Sequence, residues 1–178
     1  MKKIILVAII LFTATAAYSQ LVRPNRPNVV LDGSSGYIMV NELVAGYGLA
    51  GHTTPYSEHF FGFTTMHGYQ ANEIFTIGAG TGLLFYNDGL LIPLYADLRV
   101  RISQSYLAPV LTGSAGVLLN PSEFDAGTRM FIEPGAAVLY SLSRKMAMNL
   151  GAGLKIQMAP NISRASFLTL KLGLTNKF

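Results

Sequence analysis

From residue 36 onward the chain alternates between apolar and polar or small positions. Leu94, Ala96, Leu98, Val100 and Ile102 share one face, with Tyr95, Asp97, Arg99 and Arg101 on the other. Met130, Ile132, Pro134, Ala136, Val138 and Tyr140 oppose Arg129, Glu133, Gly135 and Ser141. Met146, Met148, Leu150, Ala152, Leu154 and Ile156 oppose Asn149, Gly151, Gly153, Lys155 and Gln157. Leu168, Leu170, Leu172, Leu174 and Phe178 oppose Thr169, Lys171, Gly173, Thr175 and Lys177. A looser version sets Glu42 against Leu43, Ala45, Tyr47 and Leu49. A period of two marks strands, and no stretch sustains the 3.6-residue apolar period of a helix.

The pattern predicts eight strands, near 36–50, 59–70, 73–86, 90–103, 107–119, 128–142, 146–158 and 164–178. Asn87-Asp88-Gly89 is a hairpin signal, Ser143-Arg144-Lys145 marks another turn, and Asn120-Pro121-Ser122 opens a longer loop. Strands of about 11 to 15 residues are roughly twice the ordinary length of about 5 to 6. Eight long strands without helices predict an all-β fold, an eight-stranded antiparallel up-and-down barrel.

Alternation alone does not say which face points inward. A soluble barrel is apolar inside, and a membrane barrel reverses this. The polar face is rich in Gly, Ser and Thr and has too few Lys and Glu to solvate an exterior. The apolar face is an unbroken stripe with aromatics near strand ends (Tyr37, Tyr69, Phe85, Tyr106, Tyr140 and Phe178), which suits a membrane–water interface. A transmembrane barrel is the expectation. An even strand count puts both ends on the periplasmic side, with short turns at 71–72, 104–106 and 143–145. Segments 51–58, 87–89, 120–127 and 159–163 then face outward.

Residues 1–19 have a secretory signal's layout: Lys2-Lys3, an apolar run from Ile4 to Phe12, then Ala17-Tyr18-Ser19. The apolar run is too short to cross a bilayer as a helix. Residues 20–35, with Pro24 and Pro27, read as an extended periplasmic leader, and 36–178 as the barrel. The 178 residues suit one domain, 51% hydrophobic and only 12% charged, about half the charged share of a soluble domain. Zero Cys excludes disulfides, Cys-based zinc sites and a Cys nucleophile. Thirteen basic residues against nine acidic give +4; without Lys2 and Lys3 the balance is 11 − 9 = +2. No basic cluster interleaved with aromatics occurs, so nucleic acid is not an expected partner.

Three features carry a resemblance: Phe75-Thr-Ile-Gly-Ala-Gly-Thr-Gly-Leu83, Ile92-Pro-Leu-Tyr-Ala-Asp-Leu-Arg99, and Phe178. With these the chain resembles the small porin-like and OmpA-type outer-membrane β-barrel proteins of Gram-negative bacteria. The resemblance implies an outer-membrane location, contact with outer-membrane lipids, and a monomer. It also implies that Phe178 belongs to a signal read by the outer-membrane assembly machinery. Asn176 departs from that pattern, which has an apolar or aromatic residue there. The family spans structural proteins, adhesins, narrow channels and lipid enzymes, so no single activity is implied.

The charges expected inside the barrel are Glu42, Asp97 and Glu133 against Arg99, Arg101, Arg129, Lys155 and Lys171. Charges in a small barrel are costly unless paired, so a salt-bridge network filling the lumen is expected ahead of a cation-lined constriction. Inward glycines (Gly46, Gly48, Gly78, Gly80, Gly82, Gly151 and Gly153) leave space, which Arg side chains, Tyr95 and water are expected to fill. Gly78-x-Gly80-x-Gly82 alternates strictly and continues into Leu83-Leu84-Phe85-Tyr86, so it reads as strand rather than a nucleotide loop.

His52, His59 and His67 do not make a metal set, since a site needs about three convergent ligands. Ser57-Glu58-His59 supplies three catalytic residue types, but neighbours in a strand point to opposite faces. Tyr56, Phe60, Phe61 and Phe124 are expected at the outer rim, anchoring it among headgroups ahead of meeting a partner or lipopolysaccharide. The expectation is therefore a non-enzymatic envelope barrel with a filled, charged interior and no cofactor or metal. A narrow channel and a lipid-modifying enzyme are the alternatives.

Overall fold

The computed structural model describes residues 29–49, 56–122, 128–158 and 164–178. They form eight strands: β1 (Gly36–Gly48), β2 (His59–Gln70), β3 (Phe75–Tyr86), β4 (Gly89–Arg101), β5 (Leu107–Leu119), β6 (Arg129–Ser141), β7 (Met146–Met158) and β8 (Arg164–Lys177). Each strand pairs antiparallel with its sequence neighbour, and β1 closes on β8 through pairs such as Glu42↔Gly173 and Ile38↔Lys177. Closure leaves no free sheet edge. Gly36 and Lys177 lie together at one end, here the terminal end. The longer connections lie at the opposite, loop end.

Local chemistry explains the turns. Asn87 and Asp88 join Tyr86 to its partner Gly89, whose φ of +144° is one that residues with a Cβ rarely adopt. Asn72 Oδ1 accepts the amides of Ile74 and Phe75 at 2.9 and 2.8 Å, turning the chain between β2 and β3.

The pleat sorts the side chains. Leu43, Ile77, Leu98, Leu111, Ile132, Leu150 and Leu170 face outward and are exposed, while Glu42, Asp97, Arg99, Glu133 and Lys155 face the lumen and are buried. Tyr37, Tyr69, Phe85, Tyr106, Tyr140 and Phe178 are exposed near the ends of the belt. Phe60, Leu84, Tyr86, Leu91, Leu118, Phe131 and Phe167 are apolar yet point inward, forming a cluster in the loop-end half of the lumen. Leu31, Ala108, Val110, Leu139 and Ala147 form a second cluster at the terminal end.

Two glycines of β5 separate space from conformation. A Cβ on Gly116 would lie 2.0 Å from the Leu94 carbonyl oxygen and 2.6 Å from Tyr95 Cα, whereas one on outward-facing Gly113 meets nothing within 4 Å. Gly116→Ala is expected to destabilise the barrel by about 1–3 kcal/mol, because neighbouring backbone must move. Gly113→Ala is expected to stabilise it by about 0.4–1 kcal/mol through the unfolded chain. Urea unfolding of the two variants in the same lipid checks the opposite signs.

Candidate functional site

The lumen is where the chain concentrates its polar chemistry. β1 and β4 bring Glu42, Asp97 and Arg99 together at mid-barrel. Arg99 Nε donates to Asp97 Oδ1 at 2.8 Å and Nη2 to Glu42 Oε1 at 3.1 Å. Ser114 Oγ donates to Asp97 Oδ2 at 2.8 Å, and Asn149 Nδ2 to Glu42 Oε1 at 2.5 Å. Across the lumen, Glu133 of β6 meets Lys155 Nζ at 3.4 Å and Lys171 Nζ at 2.9 Å, with Thr169 Oγ1 donating at 2.8 Å. The first group holds two acids and one base, the second one acid and two bases. Their net charges of −1 and +1 cancel across a gap that both Glu42 and Lys171 line.

Aromatic rings cover this middle layer on the loop side. Lys155 Nζ sits 4.6 Å from the Phe60 ring centre and 4.8 Å from that of Phe131, so one ammonium meets both a carboxylate and two ring faces. Phe60 stacks on Tyr86 and meets Phe167 edge-on. The glycines leave room for these rings: a Cβ on Gly46 would lie 2.1 Å from Phe60, and one on Gly80 2.3 Å from Tyr95.

Tyr56 closes the same end. Its backbone is left-handed at φ 60°, held by Asp88 Oδ2 accepting its amide at 2.6 Å and Gln157 Nε2 donating to its carbonyl at 2.7 Å. Asn120 Nδ2 donates to its hydroxyl at 3.2 Å, and the Arg129 guanidinium lies 4.8 Å from its ring centre. Tyr56 and Phe60 therefore turn into the lumen mouth, and of the expected rim aromatics only Phe61 is found facing outward, stacked on Phe85. Phe124 lies outside the described residues.

At the terminal end, residues 30–34 turn under the barrel as a strap. Leu31 is 1% exposed among the apolar ends of β5, β6 and β7. Its amide donates to Ser141 Oγ at 3.0 Å, and its carbonyl accepts from Arg101 Nη1 at 3.3 Å. The Asp32 amide donates to the Arg144 carbonyl at 2.9 Å, while the Asp32 carbonyl accepts from Lys177 Nζ at 2.9 Å and Gln70 Nε2 at 3.3 Å. No pattern in the sequence marks Leu31, because its partners come from four distant strands.

Above the strap lies an internal void of about 30 Å³, lined by Leu31, Arg99, Asn149 and Thr175 among others. That is room for about two water molecules, within reach of Asn149 Oδ1 and Thr175 Oγ1, which no described side chain satisfies.

The Asp32 carboxylate accepts the Ser34 amide at 2.9 Å and the Ser34 hydroxyl at 2.7 Å, and Lys177 Nζ is 3.6 Å away. The Ser34 backbone bond first, then its hydroxyl and, more weakly, Lys177 hold this carboxyl below the ordinary aspartate range against the opposing effect of desolvation. A depressed carboxyl contributes stability above its unfolded pKa and loses it as pH falls through the folded value. Hydrogen exchange at the Ser34 amide is expected to accelerate relative to the barrel strands once pH falls below the ordinary aspartate range. Asp32→Asn removes that dependence.

His59 and His67 both face outward, eight residues apart, and His52 lies outside the described residues. Among the described residues no three His, Asp or Glu side chains converge as a metal set would require. Ser57 is buried at the loop end, while His59 is exposed with Glu58 3.9 Å away.

Solved structures share this architecture. Neisserial surface protein A is similar at 14% identity over 82% of this chain and 99% of that one, with a TM-score of 0.64. The chain has the fold of a small outer-membrane β-barrel. Two further structures are similar in strand layout at lower scores. The N-terminal barrel domain of Pseudomonas aeruginosa OprF gives 14% identity, coverage of 80% and 99%, and a TM-score of 0.48. Yersinia pestis Ail in a bilayer nanodisc gives 15%, 80% and 99%, and 0.45. At these identities the likeness is one of fold. The sequence matches no family model and no curated protein. In an outer-membrane barrel the exposed Leu, Ile and Val belt meets lipid and the buried charges meet each other, which is the sorting observed here.

Proposed function

We propose that this chain is a non-enzymatic integral protein of the outer membrane whose filled barrel contributes to envelope structure or surface contact. One observation carries the reading: ion pairs, rings and the strap occupy successive levels of the lumen, and the voids found between the described residues there are small, about 30 Å³ above the strap and about 10 Å³ beside the ion pairs. An eight-stranded barrel is just wide enough for side chains to fill. The terminal end then lies in the periplasm and the loop end outside. Outer-membrane lipids contact the belt. Phe178, 69% exposed with its ring 5.5 Å from that of Tyr37, is available to the assembly machinery at the periplasmic rim.

Single-channel recording of the folded mature chain in a planar bilayer tests this, with heat-modifiable gel mobility reporting the folded barrel. A folded chain without discrete conductance is expected. Reproducible steps that change when Arg99 or Glu133 is replaced would establish a channel instead.

A further inference from the structure

The lipid-facing belt is chemically lopsided. On β4 to β7 every outward side chain is apolar except Tyr140 near the terminal end. On the other half, β1, β2 and β3 bring Asn41, Thr65 and Thr81 into one row, with Asn41 paired to Thr65 and Thr65 to Thr81. His67 and Asn176 flank the row, both cross-strand partners of Met39.

His67 is partnered within the chain, its Nδ1 by the Tyr37 hydroxyl. Asn41, Thr81 and Asn176 make no side-chain hydrogen bond with the described residues. Each member of the row sits near the middle of its strand, and mid-strand on the outer face is the hydrocarbon centre.

This placement selects the occupant. A polar group in hydrocarbon is costly without a partner, and acyl chains offer none. Headgroups lie at the rims, too far to reach mid-strand. A neighbouring transmembrane protein remains, because its polar side chains can hydrogen-bond across the contact as they do between transmembrane helices. Ala79, the outward neighbour of Thr81, borders the row and allows close approach there.

We propose that β1, β2 and β3 form the contact face of a homodimer in the membrane, related by a two-fold axis along the membrane normal. Under that symmetry each residue returns at its own depth, so Asn41 of one copy meets the row of the other at the same level. An amide both donates and accepts, and so do hydroxyls, which makes the row self-complementary. The inference rests on the membrane reading of the belt and departs from the monomer expected of such barrels.

The absence of native cysteine makes disulfide trapping clean. Ala45→Cys on β1 and Ala152→Cys on β7 both place a thiol on the lipid face. The full mature chain carrying each is compared in phospholipid vesicles at equal lipid-to-protein ratio and in native membranes. Folded mobility reports the membrane barrel separately from its association. Ala45→Cys is expected to cross-link to twice the chain mass and Ala152→Cys to remain single. Adding Asn41→Leu to Ala45→Cys removes two symmetric contacts and is expected to weaken dimerisation roughly tenfold, while folded mobility is unchanged. Equal cross-linking at both positions, an Asn41→Leu variant that dimerises as before, or an adduct with a different protein in native membranes would each overturn the homodimer.

Discussion

Glu133→Leu is expected to be the most damaging single change in the lumen, costing about 3–5 kcal/mol. Among the described residues Glu133 is the only acid contacting both Lys155 and Lys171, at 3.4 and 2.9 Å, and all three lie inside the wall. Its removal leaves two ammonium groups facing each other without a carboxylate in contact, with ring faces and the Thr169 hydroxyl beside them. Replacing one partner of a buried pair leaves an uncompensated charge, whereas replacing a whole cluster with apolar groups of similar volume is often close to neutral. Glu133→Leu combined with Lys155→Met and Lys171→Met is therefore expected to recover most of the loss. Urea unfolding of the barrel in lipid measures both. If the single variant cost under about 1 kcal/mol, the range for exposed pairs, water would be reaching the cluster.

The second large effect is expected at the strap. Leu31→Ala loses the apolar group that seats residues 30–34 against Ala108, Val110, Leu139 and Ala147. Truncating a buried leucine costs about 2–5 kcal/mol, and the lower end applies because the strap undocks rather than preserving a cavity. The loss then saturates: once Leu31→Ala has freed the strap, Asp32→Asn adds little, as expected of residues sharing one docking event. Hydrogen exchange at the Asp32 amide, bonded to the Arg144 carbonyl, would rise by roughly 30-fold for 2 kcal/mol, with the mid-strand amides unchanged. Slow exchange in the Leu31→Ala variant would show that Ser141, Lys177 and Gln70 hold the strap without the leucine.

Sequence and structure agree where a local rule operates. Period-two alternation places the eight strands within about two residues of those observed, and scarcity of surface charge orients the barrel. That Glu42, Asp97, Arg99, Glu133 and Lys155 are buried is legible because a charge on the small-residue face has nowhere else to point. Which acid meets which base is not, since Glu42–Arg99 spans 57 residues and depends on the cylinder's register.

The aromatic layer is missed for a different reason. Phe60, Phe131 and Phe167 are apolar residues on the inward face, and near the loop end they join an apolar cluster inside the lumen, so polarity no longer separates the faces at these positions. Position parity does: Phe60 lies out of phase with Phe61 and Phe63, and its ring needs the space left at Gly46. The strap is illegible because Leu31 and Asp32 follow a Pro- and Asn-rich stretch without periodicity, and tertiary contacts alone give them a place.

The most direct test of an apolar face toward lipid and a closed lumen uses two adjacent residues. Phe131 is 3% exposed and points inward, while Ile132 is 46% exposed and points outward. The chain has no tryptophan, so Phe131→Trp and Ile132→Trp each create a single fluorophore. In bilayers containing brominated acyl chains, Ile132→Trp should be strongly quenched and Phe131→Trp much less. Aqueous iodide should quench neither appreciably. Bromine quenching Phe131→Trp more than Ile132→Trp would reverse the faces, and iodide quenching Phe131→Trp would contradict the closed lumen.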